Sequence, residues 1–185
     1  MMRGSILFLL AAMFALPAQA AETRRDNFGD WGYVCQAPEN EAGDVDESKE
    51  SCNLFQTALL NNSQGEGELP EDGARQQRLL LTRVGYIGDN ERPVLLVTAP
   101  LGILLTQGIT VSVDGLEEPA RFAVQRCDAG GCLAYTAMNE EIVSAFKKGT
   151  KAQVTFYDPQ RRAINVPLSL KGFTKGMSEL NASRD

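Results

Sequence analysis

Residues 121–137 read RFAVQRCDAGGCLAYTA. Two runs of strand-forming residues, 121–127 and 132–137, flank Asp128-Ala129-Gly130-Gly131, and the paired glycines supply the positive φ that a tight turn needs. A cysteine stands on each side of that turn, Cys127 and Cys132. The stretch predicts an antiparallel hairpin with a short covalent link across its turn.

Outward from this hairpin the pattern repeats. Residues 109–113 (ITVSV) set Ile109, Val111 and Val113 on one side and Thr110 and Ser112 on the other. That is the period of a half-buried strand, with Asp114-Gly115 as its turn. Residues 79–84 and 93–98, parted by Gly85, Gly88, Asp89 and Asn90, predict an antiparallel pair, and residues 102–105 continue the series. Earlier strands are predicted at 28–35 and 51–60, after a polar lead-in at 21–27. The lone Trp31 is expected to be buried, with a partner for its indole N–H. Residues 61–78, with Gly65, Gly67, Pro70 and Gly73 among acids and amides, read as an exposed loop.

Downstream, Asn139 caps a predicted helix that has Glu140 and Glu141 at its start and Ile142, Val143 and Phe146 on its apolar face. Lys147 and Lys148 suit its end and Gly149 terminates it. Residues 152–157 and 163–170 predict a last hairpin around Asp158-Pro159-Gln160-Arg161, and Pro167, lacking an N–H, demands an edge or a bulge. A short closing helix is predicted at 173–181, weakened by Gly176. Many strands, short turns and one or two helices imply a single all-β domain, an antiparallel sandwich or a barrel-like closure. There is no βαβ alternation, so a Rossmann or P-loop fold is unsupported.

The chain has 185 residues, 43% hydrophobic and 23% charged, with a net charge of −6. It contains no histidine, which removes Ser-His-Asp and Cys-His nucleophile systems, HExxH helices, Cys2His2 fingers and His-ligated haem. An acidic balance without a dense Lys/Arg stripe lacks the counterion-release term behind nucleic-acid affinity. Arg24-Arg25, Lys147-Lys148 and Arg161-Arg162 are isolated basic pairs, expected on solvated surface.

Arg3, an eleven-residue apolar run at 6–16 and then Pro17-Ala18-Gln19-Ala20 have the three-part layout of a secretory signal, with cleavage expected after Ala20. The run is well short of the roughly 20 residues a membrane-spanning helix needs. No later segment is long and apolar enough, because 93–113 is interrupted by Pro100, Gly102, Gln107 and Gly108. The mature chain, residues 21–185, is therefore expected to be one domain without a transmembrane segment. It keeps 17 basic and 24 acidic side chains, a net charge of −7.

Cys35, Cys52, Cys127 and Cys132 all lie in that exported part, where disulfides persist. Four cysteines allow three connectivities. Loop length favours Cys127 with Cys132, which leaves Cys35 with Cys52 across a strongly acidic segment. Tying the ends of such a segment limits the entropy it adds to the unfolded chain, a stabilisation of about 3 kcal/mol. Four thiolates holding zinc is the competing reading, which Cys-x4-Cys and a sixteen-residue gap in an exported chain fit less well.

Other candidates are weaker. Residues 44–50 resemble a calcium loop, but Lys49 stands where that pattern demands glycine. Glu117-Glu118 and Glu140-Glu141 are sequence neighbours, whereas a glycosidase dyad needs carboxyls facing across a cleft. Redox motifs place Cys-x2-Cys at a helix start, while Cys127 and Cys132 flank a hairpin turn. No catalytic residue, metal or cofactor is expected.

Several short segments together resemble the invasion-associated locus B (IalB) family of exported bacterial proteins. They are Phe28-Gly29-Asp30-Trp31 leading to Cys35 and Cys52, Ala99-Pro100-Leu101-Gly102-Ile103-Leu104-Leu105 followed by Gly108, Asp114-Gly115, Cys127 with Gly131-Cys132-Leu133-Ala134, the helix ending at Gly149, and Pro167-Leu168-Ser169-Leu170-Lys171-Gly172-Phe173. Their order runs over about residues 28–180. Thr106-Gln107 departs where the family often has proline beside the glycine, and Gly176 where alanine is usual. The resemblance implies an immunoglobulin-like β-sandwich in the periplasm or outside a Gram-negative cell. The family's founding relatives are linked with entry into host cells, erythrocytes in particular, but the family has no accepted catalytic residues and extends beyond pathogens, so the resemblance does not by itself carry an invasion role over to this chain. The function expected is a non-enzymatic module presenting loops or edge strands to an envelope or host protein. The alternative is a periplasmic thiol or stress-related enzyme.

Overall fold

The computed structural model describes residues 24–37, 46, 50–59, 78–88 and 90–184. The expected signal at 1–20, nearly all of the 61–78 loop and most of the segment between Cys35 and Cys52 lie outside them.

Strands and helices run in the order β1 (Arg24–Phe28), β2 (Trp31–Gln36), β3 (Ser51–Leu59), β4 (Arg78–Gly85), β5 (Val94–Ala99), β6 (Ile109–Val113), β7 (Ala120–Phe122), β8 (Val124–Asp128), β9 (Gly131–Ala137), α1 (Glu140–Lys148), β10 (Lys151–Tyr157), β11 (Ala163–Ser169) and α2 (Phe173–Ala182). One sheet has the order β1-β2-β3-β4-β5-β9-β8 and the other β11-β10-β6-β7. Every pairing is antiparallel. The architecture is an antiparallel two-sheet sandwich with two helices. The helix at 140–148 forms with its Asn139 cap, whose side chain accepts from the Ile142 N–H at 2.9 Å. Pro167 sits on β11, an edge strand.

Four readings of the sequence need correction. The lead-in at 21–27 contains strand β1: its RRDNF pattern is polar because it is an edge strand with four exposed residues, paired with β2 along its main chain. The run 28–35 holds a turn at Gly29-Asp30 between β1 and β2 rather than one strand. Residues 121–127 are two strands, since the chain leaves the small sheet after Phe122 and joins the large one at Val124. Residues 102–105 form a loop running into a 3-10 turn at Leu105–Gln107, not a strand. Gly149 does end α1, but with φ of −71°. Glycine is needed there for space, because a Cβ would stand 2.9 Å from Leu170 and Val113 side-chain carbons.

Between the sheets, alternate residues of the strands form one core. Tyr33, Leu54, Val84, Leu95, Val97 and Ala134 come from the large sheet, and Ile109, Val111, Val154, Phe156, Val166 and Leu168 from the small one. α2 adds Phe173, Met177 and Leu180, spaced to lie on one face. Trp31 is fully buried, edge-on to Phe173 at 5.2 Å between ring centroids, and Phe173 in turn meets Phe146 of α1 at 5.2 Å.

A polar latch joins the sheets beside this aromatic row. The Trp31 indole and the Gln56 amide both donate to the Ser169 carbonyl, at 2.9 and 3.1 Å, and the Ser169 N–H returns a bond to Gln56 Oε1 at 2.9 Å. The Ser169 hydroxyl meets Asp30 Oδ2 at 2.6 Å, and the Asp30 N–H donates to the Lys171 carbonyl at 3.1 Å. Thus Phe28-Gly29-Asp30-Trp31 and Ser169-Leu170-Lys171-Gly172-Phe173, distant in sequence, close on each other.

Thr82 is a local cost within the core. It is fully buried on the inward face of β4 between Leu80 and Val84, and its hydroxyl has no hydrogen-bond partner. Valine keeps the shape and removes the unpaired group, so Thr82→Val is expected to stabilise the fold by about 1 kcal/mol. That corresponds to a thermal midpoint about 2–4 °C higher by calorimetry.

Candidate binding surfaces

Where β9 ends, the Met138 N–H donates to the Pro93 carbonyl at 2.8 Å, fixing the start of β5 against the start of α1. A groove of about 600 Å³ opens there, lined by Glu91, Arg92, Pro93, Met138, Glu140, Val143, Ser144, Lys147 and Lys148. A second depression of about 680 Å³ shares Glu91 and Arg92 and adds Ile87, Asn90, Val94, Tyr135 and Ala137. Ile87 and Tyr135 are 47% and 43% exposed. Pro93, Met138 and Val143 form an apolar lining, while Arg92, Lys147 and Lys148 bring positive charge to it and Glu91 and Glu140 negative charge. Such a surface suits a ligand with both apolar and charged groups, such as an extended peptide. Ser144 is the groove's hydroxyl, and the chain has no histidine to activate it.

The cysteines stand elsewhere, at two remote places in the large sheet. Cys35 is bonded to Cys52, and Cys127 to Cys132. Each pair is directly opposed on neighbouring strands. Cys35 and Cys132 are buried, while Cys127 is exposed. Glu50 brings a carboxylate within 4.8 Å of the Cys35 and Cys52 sulfurs. Both sulfurs are spent in the disulfide, so the group offers one oxygen donor and no thiolate. Two covalent links thus restrain adjoining strands, the first at the end of the sheet where β4 meets β5 through Gly85 and Val94.

The remaining sequence candidates do not converge. Asp46 and Glu50 are the described residues of the calcium-like segment, Glu117 and Glu118 lie in the exposed β6–β7 turn, and Glu140 and Glu141 occupy the first turn of α1. Arg24 is engaged within the fold: its guanidinium donates to the Tyr33 hydroxyl at 3.0 Å, a bond that raises its pKa further. Lys147 and Lys148 do more than suit a helix end, since both line the groove. Glu91 and Arg92, which join the two depressions, carry no sequence signal of their own, because their setting is made by α1 and β9.

The whole arrangement has relatives. The family described as Invasion associated locus B (IalB) protein matches residues 31–181. An invasion protein B homolog from Brucella abortus strain 2308 is 26% identical over 176 residues, covering 94% of this chain and 88% of that protein, and a counterpart from Brucella abortus biovar 1 strain 9-941 gives the same figures. The crystal structure of invasion associated protein b from Bartonella henselae superposes with a TM-score of 0.65 at 17% identity, over 87% of this chain and 97% of that one. That likeness is one of fold.

Proposed function

This chain belongs to the invasion-associated locus B family, and from that premise we propose that it is a non-catalytic protein of the Gram-negative periplasm or cell exterior that binds a protein partner of the envelope or of a host cell. The observation that carries the reading is the pair of depressions joined at Glu91 and Arg92, apolar in lining and mixed in charge, built on the rigid junction of β5, β9 and α1. The signal-like residues 1–20 and the absence of histidine support it. Among the described residues no helix is long and apolar enough to cross a membrane. A thiol enzyme would need an accessible low-pKa cysteine at a helix start, and all four sulfurs sit on strands.

The test is site-directed photocrosslinking from Tyr135 in the mature protein, added to envelope and host-membrane extracts. A discrete crosslinked partner is expected, with saturable capture that falls about tenfold in Arg92→Glu, as for loss of one charged pair at a binding site. Capture that does not saturate, or that is indifferent to Arg92→Glu and Lys147→Glu, would sink the reading.

A further inference from the structure

The opposite end of the sandwich carries a different chemistry. β5 is six residues long, which separates its ends by about 20 Å; Pro93 borders the groove at one, and Pro100 opens the β5–β6 connection at the other. That connection is held by its backbone and by Ile103, which packs against the core. Gly102 and Gly108 take φ of 87° and 65°, and the Leu104 N–H donates to the Tyr157 carbonyl at 2.7 Å. Leu101 and Leu105 are left 59% and 52% exposed, more than any other large hydrophobic side chain among the described residues.

Exposed arginines surround them. Arg121 donates to the Gln107 carbonyl at 2.9 Å, Arg78 to the Gly130 carbonyl at 3.1 Å, Arg126 projects from β8, and Arg161 and Arg162 lie in the turn that follows Tyr157. Among the described residues the acids at this end are Asp128 and Asp158, paired with Arg126 at 3.6 Å and with Arg162 at 2.6 Å. The β3–β4 connection, acidic in sequence, lies outside the described residues. Arg161 stands apart, because with φ of 63° it is the non-glycine residue held in the left-handed region among those described. Its N–H closes the turn on the Asp158 carbonyl at 2.9 Å, a position where glycine sits without strain. A turn optimised for folding alone would carry glycine there; this one displays a guanidinium.

We propose that this end docks reversibly on an anionic phospholipid bilayer, with Leu101 and Leu105 entering the headgroup boundary and Arg121 and Arg161 meeting lipid phosphates. Two leucines standing singly on a loop suit a fluid surface that admits separate side chains to one depth. Arginine forks match phosphate oxygens, and clustered cations gain from the negative potential of such a surface.

The experiment is flotation of the disulfide-bonded mature chain with vesicles rich in phosphatidylglycerol, against vesicles of phosphatidylcholine alone. Binding to the anionic vesicles and background recovery with the neutral ones is expected. Leu101→Ser and Leu105→Ser should each weaken binding about tenfold. Arg161→Gly should weaken it about fivefold while raising the thermal midpoint, because left-handed strain is removed. Two effects of opposite sign separate docking from a merely structural role. Excess soluble glycerol phosphate should not compete. No flotation with anionic vesicles, binding indifferent to both leucine variants, or full displacement by glycerol phosphate would overturn the proposal; none of these bears on partner capture at the groove.

Discussion

Replacing Gly172 with alanine is expected to lower the stability of the folded domain by about 4 kcal/mol, read as a fall in the urea midpoint with unchanged slope. The backbone there takes φ of 88°, and an added Cβ would lie 1.9 Å from the Phe28 carbonyl oxygen and 2.8 Å from the Gly29 nitrogen. These are main-chain atoms of the β1–β2 turn, so no side-chain rotation relieves the overlap. Nor can the turn retreat freely: Gly29, with φ of 61°, sits against the Lys171 carbonyl, where its own added Cβ would lie at 2.6 Å. The two glycines interlock, and pushing one strains the contact of the other as well as the bonds from Asp30 to Ser169 and Lys171. Gly102 supplies the control. Its φ is 87°, yet a Cβ there meets nothing within 4 Å. Gly102→Ala should therefore cost only the left-handed term, about 1 kcal/mol. Equal losses at both positions would mean that backbone conformation, and not the interlock, is what glycine serves at Gly172.

The strands that alternate are legible in the sequence, and a polar edge strand without that alternation is not. Ile109, Val111 and Val113 announce β6 because one side is buried and the other half-exposed. Arg24-Arg25-Asp26-Asn27 announces nothing, because β1 is an edge strand with four exposed residues. The apolar run at 102–105 misleads for the opposite reason: positive φ at Gly102 and Gly108 bends it out of any ladder, and Leu105 at its end is exposed. Sheet membership also escapes local pattern. Residues 121–127 look continuous, but Ala120–Phe122 pairs with β6 while Val124–Asp128 pairs with β9, a choice made by long-range partners. The groove is less legible still. It is assembled from residues 87, 90–94 and 135–148, and of its charges only Glu140, Lys147 and Lys148 carry a sequence signal, as features of a helix. The motifs at the two ends of the chain were readable as marks of a family; that they grip each other was not, since nothing in either names the other as its partner.

Removing the side chain at the centre of that grip should have an effect of similar size. Trp31→Ala is expected to cost about 4 kcal/mol, followed by far-UV circular dichroism because the chain has no other tryptophan to report unfolding. The side chain is fully buried, so a large cavity opens beside Phe173, and the Ser169 carbonyl loses one of its two donors. Trp31→Phe separates these contributions. It keeps an aromatic ring and loses the N–H, at an expected cost of about 1–2 kcal/mol. The Gln56 amide still reaches the carbonyl in that variant, at 3.1 Å. Trp31→Phe combined with Gln56→Ala leaves a part-buried carbonyl with neither donor, so the pair should cost about 1 kcal/mol more than the two single losses together. Additive losses would mean that the two donors act independently and that the latch is no unit. The consequence reaches the surface through Phe173, which packs on Trp31 from one side and on Phe146 of α1 from the other. Because α1 carries Val143, Lys147 and Lys148 into the groove, Trp31→Phe should also weaken saturable partner capture under conditions where the protein remains folded, whereas Thr82→Val, in the core but outside this aromatic row, should leave capture unchanged.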